Sequence, residues 1–185
     1  MGGHGADGSD ESPDQSNVVP IPRDPTVVRP LGAHDVESVL AIQAVAYEPR
    51  YHESAEAFTA KIAAGRECCF GLFKGWKMAA YLVAVPLADD STLSLDSSQV
   101  PGVSLMMAMV MFIHDLAVHP DHRGRGLGDV LLVHLHETAM RHGVSAYRLV
   151  AVQNSVHFWQ QRGFVVEPVP PPAGYGPEAV VMSRR

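Results

Sequence analysis

The sequence predicts a single α/β domain built on a mixed sheet, and three observations carry that expectation. Strand-like and helix-like apolar runs alternate through the second half of the chain. The stretch Val103 to Val118 is almost continuously apolar, as strands buried on both faces of a sheet would be. A turn carrying Gly124, Gly126 and Gly128 joins that stretch to a run with helical spacing. At 185 residues and 46% hydrophobic content, the chain suits one domain with a real core.

Residues 1–25 are rich in Gly, Ser, Asp and Pro, too polar to offset the entropy of ordering, so they are expected to form a disordered tail ahead of a domain spanning 26–185. TVVRPL, from Thr26 to Leu31, reads as a first strand. The following AHDVESVLAIQAVAY places Val36, Val39, Leu40, Ile42 and Val45 near helical spacing. ESAEAFTAKIAAG reads as a second helix, with Ser54 as N-cap and Gly65 as stop. CCFGLFKG and KMAAYLVAVPL flank a turn at Gly75 and read as a hairpin. The polar stretch Leu87–Gly102 reads as a long loop beside a binding site. After the apolar stretch and the glycine turn, Val130, Leu131, Val133, Leu135 and Met140 are expected to supply the apolar faces of a helix that ends at Gly143. Strand AYRLVAVQ, short helix SVHFWQQRG and strands GFVVEP and EAVVMS complete the chain.

The formal net charge of −6 argues against a nucleic-acid partner and fits a cationic small molecule better. Cys68 and Cys69 are adjacent, so they cannot staple distant segments and lack zinc-site spacing; they read as reduced core residues of a cytoplasmic protein. No apolar stretch is long enough to span a bilayer, and the polar start is unlike a signal peptide, so no membrane partner is expected. Oligomeric state stays open, a homodimer included. Ten histidines raise the question of a metal, but His134 and His136 would lie about 200° apart on a helix. Neither they nor the pair His119 and His122 have a cysteine or carboxylate cluster to complete a ligand set, so no metal is expected.

A glycine-bearing turn at a helix N-terminus presents unpaired backbone N–H groups and the positive end of the helix dipole, a natural phosphate site. The spacing here is GxGxG without lysine, which fits neither a P-loop nor a dinucleotide fingerprint. Read from Arg123, however, the loop is Arg-x-x-Gly-x-Gly behind LAVHP. This resembles the acetyl-CoA signature of the GNAT acyltransferase superfamily, (Gln or Arg)-x-x-Gly-x-(Gly or Ala). NSVHFWQQRGF, Asn154 to Phe164, is similar to the family's second motif, an Asn followed by FYxxxGF. The resemblance runs from about Thr26 to the C-terminus. It implies a GNAT-like domain whose mixed, mostly antiparallel twisted sheet is flanked by helices.

The resemblance also implies roles. Backbone N–H groups along Arg123, Gly124, Arg125, Gly126, Leu127 and Gly128 would hold the pyrophosphate of acetyl-CoA, with Arg123 adding charge. Leu116, Ala117 and Val118 would pair with the pantetheine arm, the Val118 N–H polarising the thioester carbonyl. Asn154 would contact the cofactor from the neighbouring strand end, and Phe158 and Trp159 would pack beside it.

Transfer to an amine needs a base, and His114 stands where the family often places a catalytic Glu or His. HDLAVH is similar to the HxLAVH of arylalkylamine (serotonin-type) N-acetyltransferases, whose second histidine is Phe112 here. Asp115 is expected to point away from His114 by strand alternation, toward a structural partner. Trp159 replaces the tyrosine of FYxxxGF, and an indole N–H cannot serve as the acid. His157, Tyr147, Tyr175 or water would then protonate the departing thiolate. Tyr47, Glu48, Tyr51 and His52 are candidate walls for a primary amine acceptor. An acyl-CoA-binding regulatory module with little turnover and a protein or peptide N-acetyltransferase are the alternatives.

Overall fold

A computed structural model describes residues 1–2 and 25–185; the expected tail lies outside the described residues except at its two ends. Seven strands form one sheet: β1 (Thr26–Pro30), β2 (Phe70–Lys74), β3 (Lys77–Leu87), β4 (Val110–Val118), β5 (Ala146–Ala151), β6 (Val165–Val166) and β7 (Val180–Arg184). Their order is β1-β2-β3-β4-β5-β7-β6, and every neighbouring pair is antiparallel except β4 with β5. The helices are α1 (Val36–Ala46), α2 (Ala55–Ala64), α3 (Leu127–Arg141) and α4 (Val156–Gln160). A parallel pair needs a crossover, and α3 supplies it between β4 and β5.

Local chemistry sets the helix ends. The Ser54 hydroxyl caps α2 by accepting the Ala57 N–H at 3.2 Å, and Gly65 closes the helix with an N–H bond to the Lys61 carbonyl at 2.8 Å. A Cβ at position 65 would lie 1.9 Å from the Ala84 carbonyl oxygen, so only glycine lets α2 end this close to β3.

The core has two main layers. Leu72, Leu82, Met111, Ile113 and Leu149 pack against α3, while Tyr81, Val83 and Ala117 face α1 and α2. On α3 the buried stripe is Leu127, Leu131, Leu135 and Ala139, a four-residue spacing. Val130, Val133 and Met140, expected to share the apolar work, fall off that stripe and are exposed.

The apolar stretch from Val103 also differs from expectation. Only Val110 onward is strand; residues 105–107 form a single 3-10 turn, and Met106, Met107 and Met109 are exposed. A further departure lies inside β4. Val83 pairs with Asp115 and Ala84 with Ile113, so His114 is an extra residue opposite the β3 backbone. Such a bulge breaks the two-residue alternation of side chains.

Candidate functional site

β4 and β5 part company halfway along. Their parallel register ends at Ile113 with Leu149, leaving Asp115 to Val118 paired with β3 alone. A cleft of about 760 Å³ opens there, walled by both strands, the start of α3 and the end of α1. The His119 N–H bonds to the Ala79 carbonyl, so alternation aims the main chain of Ala117 and Asp115 at β3 and that of Val118 and Leu116 into the cleft. Two side-chain bonds agree with this. The Leu116 carbonyl accepts from the Tyr47 hydroxyl at 3.1 Å, and the Val118 carbonyl accepts from Arg123 Nε at 3.3 Å.

One end of the cleft is built for an anion. Gly124 and Gly126 have φ of 71° and 72°, left-handed conformations that favour glycine, and a Cβ at either would meet nothing within 4 Å. The first backbone bond of α3 runs from the Val130 N–H to the Gly126 carbonyl. The N–H groups of Leu127, Gly128 and Asp129 therefore stand ahead of the helical ladder. His122 lines the cleft with Nδ1 buried and unpartnered. Burial, then the neighbouring Lys74, Arg125 and His119, holds the His122 imidazole below its ordinary range. Open N–H groups, a helix N-terminus and a local excess of cations fit the pyrophosphate of CoA, and the Leu116 and Val118 edge, which has no strand partner on the cleft side, fits an amide-bearing arm.

The opposite end is anionic. The bulge places His114 and Asp115 on the same side of the sheet, contrary to the alternation expected of them. Asp115 accepts from the Tyr47 hydroxyl at 2.5 Å and from the Tyr81 hydroxyl at 2.7 Å. Burial lifts the Asp115 carboxyl above its usual range despite those two bonds. Burial likewise pushes the Tyr47 and Tyr81 phenols up, with the neighbouring Asp115 charge adding to it.

His114 has a side chain only 1% exposed, with Nε2 at 2.6 Å from Glu53 Oε1 and Nδ1 at 3.3 Å from the Tyr175 hydroxyl. Glu53 also pairs with the buried Lys61 and accepts the Asp96 N–H. The Gln43 side chain fixes the Glu53 backbone, accepting its N–H at 2.8 Å and donating to its carbonyl at 3.1 Å. Burial alone would raise the Glu53 carboxyl; the hydrogen bonds and charges of His114 and Lys61 outweigh it and hold the group at about 2.

Several expected residues meet on this cleft. Tyr47, Tyr51, His114 and Asp115 line one end, Leu116, Ala117 and Val118 the floor. Arg123, Gly124, Gly126, Leu127 and Gly128 line the other end, with Phe158 and Trp159 alongside. Trp159 is buried and packs edge-on against Phe158 and Phe164. Other expected residues are off the wall. Arg125 and Asn154 are exposed, the wall beside Asn154 being made by Gln153 and Ser155. The His52 ring is 3.0 Å from the Tyr47 carbonyl, and Glu48 pairs with Arg50. Of the three side chains expected as proton sources, Tyr147 bonds to His136 in the α3 layer and His157 bonds to Gln161 on the exposed side of α4. Only Tyr175 faces the cleft.

Glu53, Lys61 and Tyr81 were not expected from the sequence. Glu53 and His114 are 61 positions apart, and no local spacing signals such a contact. The acidic residue just ahead of the Ser54 cap is the sole hint.

The acetyltransferase (GNAT) family model matches residues 36–164. No curated protein matches the chain. Among solved structures, the loading GNATL domain of CurA from Lyngbya majuscula is similar with a TM-score of 0.73 at 14% identity, over 86% of this chain and 96% of that one. The PaiA N-acetyltransferase from Thermoplasma acidophilum, solved with coenzyme A, gives 0.61 at 15% identity, over 87% and 99%. The ribosomal-protein-S18-alanine N-acetyltransferase from Escherichia coli gives 0.63 at 20% identity, over 86% and 92%. At these identities the likeness is one of fold. Among the described residues no helix is long and apolar enough to cross a membrane, and no cluster of three or more metal-ligating side chains occurs.

Proposed function

The chain belongs to the acetyltransferase (GNAT) family, and from that membership we propose that it moves the acetyl group of acetyl-CoA to a small primary amine by direct attack within a ternary complex. The observation that carries this is the single cleft with a cationic, N–H-rich end and an anionic end, joined by an unpaired strand edge. When bound, acetyl-CoA supplies the activated acyl carbon.

The residues of the chain do the rest. N–H groups from Arg123 to Gly128 hold the pyrophosphate against the α3 dipole, and Arg123 and His122 add donors. The Leu116 and Val118 backbone orders the arm; the resemblance implies the Val118 N–H as oxyanion donor, but Leu116 follows His114 by two residues and Val118 by four along β4, so the Leu116 N–H takes that role here. His114 is the base. Its Nε2–H donates to Glu53, which fixes the ring, leaves Nδ1 free to accept a proton and stabilises the imidazolium that results. Asp115 adds negative potential at the end where a cationic amine arrives, and Tyr47 and Tyr51 wall that end. Peptide N-termini are the second acceptor class, since the similar structures include a ribosomal-protein-S18-alanine N-acetyltransferase and one solved with a bisubstrate analogue joining CoA to a peptide.

The test is thiol release from acetyl-CoA with a panel of alkyl and arylalkyl amines and short peptides. Release with amines and none with peptides supports the proposal. Release with peptides alone transfers the activity to protein ends, and none with any acceptor from CoA-binding protein favours a regulatory module.

A further inference from the structure

We infer that Tyr175 is the catalytic residue that carries protons between the reactants and His114, in both directions. The inference rests on the acetyltransferase proposal above for its reaction and on the position of Tyr175 for its substance. The ordinary acid position of the second motif holds Trp159, whose indole cannot give up a proton at ordinary pH. His114 itself is almost fully enclosed, with Nε2 taken by Glu53 and Nδ1 facing the Tyr175 hydroxyl. Any proton that reaches His114 Nδ1 along existing hydrogen bonds therefore passes through the phenol oxygen.

The chain builds this position deliberately. Tyr175 sits in the β6–β7 connection between Gly174 (φ 95°) and Gly176 (φ 81°), two left-handed residues that turn the backbone in and out. A Cβ on Gly174 would lie 2.7 Å from the Leu95 Cβ, so the glycine also lets this loop close on the β3–β4 loop. The Leu95 N–H bonds to the Ala173 carbonyl at 3.0 Å and locks the two loops together. The phenol is thus delivered to the anionic end from outside the motif that normally supplies one. Besides His114, the titratable groups Glu53, Asp115 and Tyr47 act on it electrostatically, and burial followed by the two carboxylates keeps the phenol protonated well past its ordinary range.

The steps balance. After the arriving ammonium has released one proton to solvent, the neutral amine nitrogen forms the C–N bond to the acyl carbon, and an N–H proton passes to the Tyr175 oxygen as the Tyr175 proton passes to His114 Nδ1. The C–S bond breaks with its electron pair leaving on sulfur. The imidazolium returns its proton to Tyr175, and the phenol proton goes to the thiolate. The amine proton ends on sulfur, and His114 and Tyr175 recover their starting states, with Glu53 balancing the charge between.

Two measurements on the full chain test this. Nitrogen-15 imidazole spectra of the protein with desulfo-CoA should show His114 protonated at Nε2, with Nδ1 an acceptor whose resonance moves in Tyr175→Phe. A proton on Nδ1, or no movement in Tyr175→Phe, overturns the inference whether or not an amine substrate is in hand. In turnover, Tyr175→Phe and His114→Gln should each lower kcat by about 100-fold while CoA affinity stays within about threefold, and the double variant should be no slower than either single. Independent roles would multiply instead, and a Tyr175→Phe variant that keeps kcat within about threefold also overturns it. Absence of thiol release from wild type overturns the acetyltransferase proposal and leaves the nitrogen spectra to decide the proton path.

Discussion

Replacing Glu53 by Gln tests the buried network through stability, without any substrate. Glutamine keeps the shape but offers one carbonyl oxygen where the carboxylate serves His114, Lys61 and the Asp96 N–H, and its NH2 group faces donors. The carboxyl titrates at about 2 in the fold against an ordinary 4.5, despite a burial penalty that works the other way. At 1.36 kcal/mol per unit, that shift corresponds to roughly 3 kcal/mol of stability near neutral pH. The sign follows from the depressed value: the contribution is complete above about 4.5 and is lost as pH falls toward about 2. Leaving Lys61 as an uncompensated buried charge acts in the same direction. For a chain of this size about 3 kcal/mol is roughly 6–12 °C in Tm. Thermal unfolding of both proteins at pH 7 should show that gap, and the gap should close between about pH 4.5 and 2. A Glu53→Gln protein melting within about 2 °C of wild type at pH 7, or a gap that does not narrow on acidification, would refute the network as drawn.

Three further outcomes are expected. Gly126→Ala forces a side chain into the left-handed region at about 1–2 kcal/mol and weakens CoA about tenfold in calorimetry; loss of stability with unchanged affinity would move the pyrophosphate elsewhere. Tyr47→Phe removes a charge-assisted bond to Asp115, costs about 2 kcal/mol in urea unfolding and raises the Asp115 carboxyl further, since one of the hydroxyls holding it down is gone; an unchanged midpoint contradicts that bond. Cys68 and Cys69 should resist a thiol reagent at pH 8 until the protein unfolds, because burial pushes both thiols up to about 12; rapid labelling of the native protein would contradict their enclosure.

What could be read from the sequence was what short-range chemistry decides. The glycine turn, the Ser54 cap and the Gly65 stop are each set by one or two residues acting on their own backbone, so their spacing was enough. The phosphate end of the cleft is of this kind. Its acceptor end is assembled from the α1 terminus, the segment before α2, β3, β4 and the β6–β7 loop. No periodicity in one stretch reports on five. Tyr47, Tyr51, Glu48 and His52 look alike as polar and aromatic neighbours, and only tertiary packing sends the two tyrosines inward and leaves Glu48 to Arg50.

The bulge at His114 shows where the two kinds of information meet. Strict alternation along β4 would put Asp115 on the α3 side, among Met111, Ile113 and Leu149, where a carboxylate would find no donor. Alternation from the Ala117 end, which faces α1 and α2, places Asp115 with Ala117; alternation from Phe112 places His114 on that side as well. Both can hold only if one residue is inserted between them, and the β3 register supplies the insertion at Val83 and Ala84. The ladder with β5 ends at Ile113, the residue just before the insertion, so the step that brings His114 and Asp115 to one face coincides with the opening of the cleft. A strand repaired to regular pairing, by deleting one residue at position 114, would lose the base and close the gap for the cofactor arm together.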